Sequence, residues 1–132
     1  MNTKQEFNDW IEVKIDVNHR GLKFNFSEGE VWWCAIGRNA GVEINGKGKE
    51  FVRPVFVLRK LNKRSFMAVP LTSQEHSGAW YVNFRFKNMQ EYAALSQVRI
   101  VSVARLYRRI GRADEMDVLR IRQGFHDLFC RE

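Results

Sequence analysis

The stretch "RPVFVLRKLNKRSFMAVPL", residues 53–71, decides how the rest of the chain is read. Two apolar runs rich in β-branched and aromatic residues flank the four-residue break Leu61-Asn62-Lys63-Arg64, which is the pattern of two strands joined by a tight hairpin. Arg53 stands directly before Pro54, so its backbone is biased toward an extended conformation, and Pro54 can open the strand where no N–H is required. A guanidinium is thereby fixed at the foot of a rigid apolar element.

Working outward, "EVWWCAI" (30–36), "WYVNFRF" (80–86) and "QVRIVSV" (97–103) have the same strand composition. In the second of these, Trp80, Val82, Phe84 and Phe86 alternate with Tyr81, Asn83, Arg85 and Lys87, which predicts a sheet with one wet face. Five short strands predict a mainly β fold, a small curled sheet or partly open barrel that limits exposed edges. At the far end Asp114 stands as N-cap before Val118, Ile121, Phe125, Leu128 and Phe129 on one face, giving a helix over 114–130 with Gly124 as an internal weakness. Between strands and helix, "ARLYRRIGR" (104–112) reads as a solvated helical turn, with the gathering of an anion by its arginines as the alternative. Residues 3–18 mix a helical period with a two-residue alternation, and a helix is the favoured reading. The expected organisation is one domain, 1–132, in which residues 1–26 are a helical extension of a barrel and C-terminal helix at 27–132.

Twenty-two Lys and Arg against fifteen Asp and Glu leave a formal charge of +7, which favours a polyanionic partner, nucleic acid first; a solubility device is the alternative. Cys34 and Cys130 stand in no Cys/His pattern, so neither a metal site nor a disulfide framework is expected, and a reducing cytoplasm fits. No run approaches the roughly 18 apolar residues of a membrane span, and the N-terminus has no hydrophobic leader, so no membrane association is expected.

Residues able to hold an anion lie around the Arg53 strand. Gly46, Lys47, Gly48 and Lys49 form a basic loop before it. "VPLTSQ" delivers Thr72 and Ser73 into a turn, where hydroxyls cap backbone or bond a phosphoryl oxygen. "LSQVR" is read as placing Gln97 and Arg99 on one strand face, suited to nucleotide edges and phosphates or to a subunit contact. Arg53 itself has the alternative of a salt-bridged surface residue. His19 and His126 carry no ligand spacing. Trp32 and Trp33, adjacent on a strand, must point to opposite faces.

"GEVWW" at 29–33, a glycine-containing loop with Glu43, Arg53-Pro54 followed by "VFVLRK", "VPLTS" at 69–73 and "LSQVR" at 95–99 occur in an order that resembles the MazF/PemK-type toxins of toxin–antitoxin systems. The resemblance implies an SH3-like barrel, a homodimer, a cognate antitoxin, and an endoribonuclease that cuts single-stranded RNA at short sequences without metal or other cofactor. Metal-free cleavage drives the neighbouring 2′-hydroxyl onto the phosphate, so the protein must supply charge, hydrogen-bond donors and proton transfer. Arg53 supplies charge on this reading and Thr72 holds the phosphoryl oxygen, while Lys47, Lys49, Ser73, Gln97 and Arg99 bind RNA. Ser96 and Ala94 stand where some relatives have an Asp and an Arg, which leaves Glu43 as base or base-edge contact and His76 as a second candidate base. The alternative is a non-catalytic nucleic-acid-binding protein, or a poison of another macromolecule in the manner of CcdB, on the same fold.

Overall fold

The computed structural model describes residues 25–36 and 52–130. Strand β1 runs over Glu30–Ala35, β2 over Val52–Lys60, β3 over Ser65–Thr72, β4 over Tyr81–Phe86, β5 over Met89–Ala94, β6 over Arg99–Ser102 and β7 over Leu106–Arg112; helix α1 follows at Glu115–Phe129. All pairings are antiparallel, in the order β4-β5-β3-β2-β1-β7, with β6 also on β3. Strand β3 makes the sheet curl: its first half, Ser65–Ala68, pairs with β6, and its end, Leu71 and Thr72, pairs with β5. The result is the mainly β, half-open barrel with a C-terminal helix that the strand pattern predicts. The helix expected in residues 3–18 lies outside the described residues.

Strand β2 is apolar on both faces because it divides two cores. Val55 and Val57 pack with Trp32, Cys34, Phe66 and Leu106, whereas Phe56 and Leu58 pack with Val31, Leu71, Val118 and Ile121. Helix α1 covers the second core and starts at Asp114, whose carbonyl accepts the Val118 N–H at 2.9 Å although its side chain makes no cap bond. Gly124 is not a mere weakness of this helix. A Cβ there would stand 3.0 Å from Val82 Cγ2 and 3.1 Å from Leu95 Cδ1, so the glycine lets α1 approach the sheet closely. Trp80 precedes β4 rather than joining its apolar face; it is 46% exposed and rests edge-on against Phe129.

Two sequence expectations are corrected, and one strand is added. Residues 106–112 are strand β7, not a helical turn, because β1 offers them a complete hydrogen-bonding partner; register shifts at Val31/Trp32 and Trp33/Cys34 break the two-residue alternation that marks a strand. The span 97–103 shortens to β6, since Leu95–Gln97 wind into a 3₁₀ turn anchored by fully buried Leu95. Strand β5, "MQEYAA", carries little β propensity and escapes the composition test. It forms because Lys87 (φ 51°) and Asn88 (φ 66°) both take the left-handed backbone that a two-residue hairpin requires, folding it onto β4.

The arginines of β7 hold the fold's entry point. Glu30 accepts hydrogen bonds from the Ser27 N–H (2.7 Å), Trp32 Nε1 (3.0 Å) and Arg109 Nε (2.7 Å). Arg112 donates to the Glu28 carbonyl, and the Glu28 carboxylate accepts from Arg122 Nη2 at 3.0 Å and the Lys60 N–H at 2.8 Å. The gathering of anions read into "ARLYRRIGR" is thus directed, for Arg109, at a carboxylate of the chain itself.

Candidate functional site

Arg53 lies where three strands meet. Its Cα pairs with Cys34 on β1, and the β2–β3 pairing, which runs from Val55 opposite Pro70 to Lys60 opposite Phe66, stops two residues short of it, at the end where β3 finishes with Thr72. Thr72 in turn pairs with Tyr92 on β5. Arg53 Nη1 donates to the Leu71 carbonyl at 3.3 Å, which fixes the guanidinium across the sheet end. Pro54 faces Trp33 in the middle of the β1–β2 pairing, and the β2–β3 pairing begins at the next residue, Val55, so the missing N–H falls where β2 has only one paired neighbour.

Beside this sheet end opens a groove of about 510 Å³, walled by Arg53, Pro54, Trp33, Ser73, Phe86 and Glu91 among others. Arg53 is half-buried on that wall, and burial lowers its pKa while the negative charge of Glu91 works in the opposite sense. The side chain therefore keeps access to the groove, whose wall also carries the Glu91 carboxylate. Ser73 is exposed, whereas Thr72 is only 6% exposed and its Oγ1 accepts the Gln74 N–H at 3.2 Å. The turn-capping use of the Thr72 hydroxyl is real; a hydroxyl that accepts still has its own proton to donate.

The adjacent tryptophans divide as a strand requires, Trp32 into the first core and Trp33 onto the groove wall. His76 does not line the groove. Its ring stacks on Tyr81 at 4.3 Å between centroids and meets Tyr92 edge-on at 6.4 Å, so β4 and β5 use it as a packing surface. Gln97 and Arg99 are not neighbours on a strand face: Gln97 ends the 3₁₀ turn and Arg99 begins β6. Glu43, Lys47 and Lys49 lie outside the described residues.

Arg99 Nη1 donates to the Ile36 carbonyl (3.4 Å) and Arg105 Nη1 to the Ala35 carbonyl (3.2 Å). Burial, then the like charge of Arg99, lowers the pKa of Arg105. The Cys34 thiol beneath them is pushed up to about 12 by burial, against the pull of Arg105 and Arg99. Positive charge accordingly gathers at the end of β1, where residues 37–51 connect it to β2 and Arg53. Sequence reasoning missed Glu91, which sits in a strand without strand composition, whereas Arg105 does end a helical turn, the 3₁₀ turn Val103–Arg105 that precedes β7. Among the described residues no three His, Cys, Asp or Glu side chains converge as metal ligands, and no helix is long and apolar enough to cross a membrane.

The family model of PemK-like, MazF-like toxins of type II toxin–antitoxin systems matches residues 27–129. Among solved structures, the fold is similar to MazF from Deinococcus radiodurans, with a TM-score of 0.65 and 16% identity over 82% of this chain and 99% of that one. It is equally similar to an endoribonuclease in complex with its cognate antitoxin from a mycobacterial species: TM-score 0.65, 12% identity, 82% and 98% of the two chains. MazF in the MazE–MazF structure from Deinococcus radiodurans aligns with a TM-score of 0.60 at 12% identity, over 83% and 99%. A comparison with curated protein sequences gives no match.

Proposed function

Because this chain belongs to the PemK-like, MazF-like toxin family of type II toxin–antitoxin systems, we propose that it is a sequence-specific endoribonuclease that cleaves single-stranded RNA without a metal or other cofactor. One observation carries the reading. Arg53 is held half-buried at the foot of β2, bonded to the Leu71 carbonyl, on the wall of an open groove that Ser73, next to Thr72, also lines. A fixed cation of this kind stabilises the charge that builds on a phosphate as the adjacent 2′-oxygen attacks, at no cost in reorganisation. Thr72 and Ser73 donate to the phosphoryl oxygens. Lys47, Lys49, Gln97 and Arg99 follow the RNA backbone, and Glu43 contacts a base edge.

On this proposal the chain is a single toxin domain with residues 1–26 as an extension; it works in the cytoplasm as a homodimer and is silenced by a cognate antitoxin. Support comes from relatives of the same fold, two of which are described in complexes with an antitoxin. The test is incubation of the purified chain with a long single-stranded RNA in EDTA, followed by end mapping. Defined cuts with 2′,3′-cyclic phosphate ends are the expected result. Salt-sensitive binding without cuts would instead favour the non-catalytic or CcdB-like reading, for which Ser96 and Ala94 speak, and neither binding nor cutting would end both.

A further inference from the structure

Metal-free transesterification needs a group that takes the 2′-hydroxyl proton, and Ser96 cannot fill that role. His76 is stacked against Tyr81 and away from the groove wall. Glu91 is differently placed. It pairs with Phe84 on β4, and its neighbour Tyr92 pairs with Thr72 at the end of β3, which sets Glu91 beside the turn that carries Ser73. Val52 and Arg53 from β2, Ser73 from the turn after β3 and Glu91 from β5 all line one groove.

We propose that Glu91 is the general base of this active site. The inference rests on the ribonuclease reading above and names a residue for the one step that reading leaves without a group. Arg53 is the one other charged side chain on the groove wall among the described residues; β1 contributes Val31 and Trp33, β7 contributes Ile110, and the β4–β5 hairpin contributes Phe86 and Met89. Among the described residues, one cation and one carboxylate stand on an otherwise apolar or neutral wall, which sets the two groups against the two charges of the reaction. Arg53 meets the anionic phosphate, and Glu91 meets the hydroxyl that must lose a proton. The attraction between Glu91 and Arg53 also offsets the repulsion that a lone carboxylate would exert on an incoming phosphate.

In the step itself the Glu91 carboxylate removes the 2′-hydroxyl proton as the 2′-oxygen bonds to phosphorus. The bond from phosphorus to the 5′-oxygen breaks, and that oxygen takes a proton from water. Glu91 returns its own proton to solvent, so no net proton is gained or lost. The products are a 2′,3′-cyclic phosphate and a 5′-hydroxyl. A positioned base of this kind contributes about 10² to 10⁴ in rate.

The experiment compares the full-length wild type with Glu91→Gln and Glu91→Asp in EDTA. It measures single-turnover cleavage of a long single-stranded RNA across pH, affinity for the same RNA carrying 2′-O-methyl groups, and the thermal midpoint. Glu91→Gln is expected to lose about 10² to 10⁴ in rate with unchanged affinity and midpoint, and Glu91→Asp to recover part of it. The wild-type rate should level off once the base is ionised, whereas the Gln variant should climb with hydroxide concentration throughout. Wild-type rate in Glu91→Gln, or a fall in affinity that matches the fall in rate, overturns the assignment and leaves the ribonuclease reading intact. A wild type that cuts no RNA overturns that reading and this assignment together.

Discussion

Replacing Glu30 by Gln tests the pairing that holds β1, and with it the strand opposite Arg53. The Glu30 side chain accepts three hydrogen bonds, two at Oε1 from Ser27 and Trp32 and one at Oε2 from Arg109. A glutamine oxygen can keep the Oε1 pair, but its amide nitrogen then confronts Arg109 Nε, donor against donor. The loss is one charge-assisted bond. Such bonds are worth about 1.5 to 3 kcal/mol, and because Arg109 is exposed and can turn to water the loss falls around or below the lower end of that range, at about 1 to 2 kcal/mol. For a chain of this size that corresponds to a fall of about 4 to 7 °C in thermal midpoint.

The pH dependence supplies the control. Burial alone would raise the Glu30 pKa, but the bonds from Trp32, Arg109 and Ser27 and the Arg109 charge outweigh it and hold it below the ordinary 4.5. A carboxyl whose folded pKa is depressed stabilises the protein fully above its unfolded value, and that stabilisation disappears as pH falls through the folded one. The gap between wild type and Glu30→Gln should therefore be full at about pH 7 and smaller at about pH 3. Paired thermal or urea melts at the two values decide the matter. No gap at neutral pH, or a gap that survives unchanged in acid, refutes the role given to this carboxylate.

Gly124→Ala gains about 1 kcal/mol of helix propensity, but its methyl meets Val82 and Leu95, and Leu95 is fully buried; a net loss of about 1 kcal/mol in urea unfolding is expected, and a gain would show that α1 can move off the sheet. Cys34 is buried with its thiol pushed up to about 12, and Cys130 is exposed, so alkylation of the native protein should add one group, at Cys130, by intact mass. Modification of Cys34 without denaturant would contradict that packing. Thr72→Val keeps the side-chain shape but removes the hydroxyl. It should slow RNA cleavage about 10²-fold, with a stability loss near 1 kcal/mol from the freed Gln74 N–H; an unchanged rate would confine Thr72 to its turn.

Much of the sheet was legible because β2, β3 and β4 are built from β-branched and aromatic residues and the break at 61–64 has only one short reading. What hid the rest was geometry created by the partners. The bulged register between β1 and β7 removes the alternation from "LYRRIGR", and with Leu106 and Ile110 four apart the segment imitates a helix. Strand β5 owes its state to the Lys87-Asn88 turn rather than to "MQEYAA". The site divides in the same way. Arg53 and Thr72 could be picked out because a proline and a strand end mark them, whereas Glu91 reaches the groove only through the β3–β5 register, which no local pattern encodes. Gln97 and Arg99 were read as a strand pair because one buried leucine, Leu95, turns the backbone where spacing alone predicts extension.

The claim on which the account turns is that Arg53 grips the phosphodiester that breaks. Its most direct test is single-turnover cleavage of a long single-stranded RNA in EDTA by wild type and Arg53→Ala, read beside their thermal midpoints. The account predicts a loss of at least about 10² in rate with a midpoint close to wild type. An Arg53→Ala protein that cuts the same RNA at the wild-type rate would contradict it.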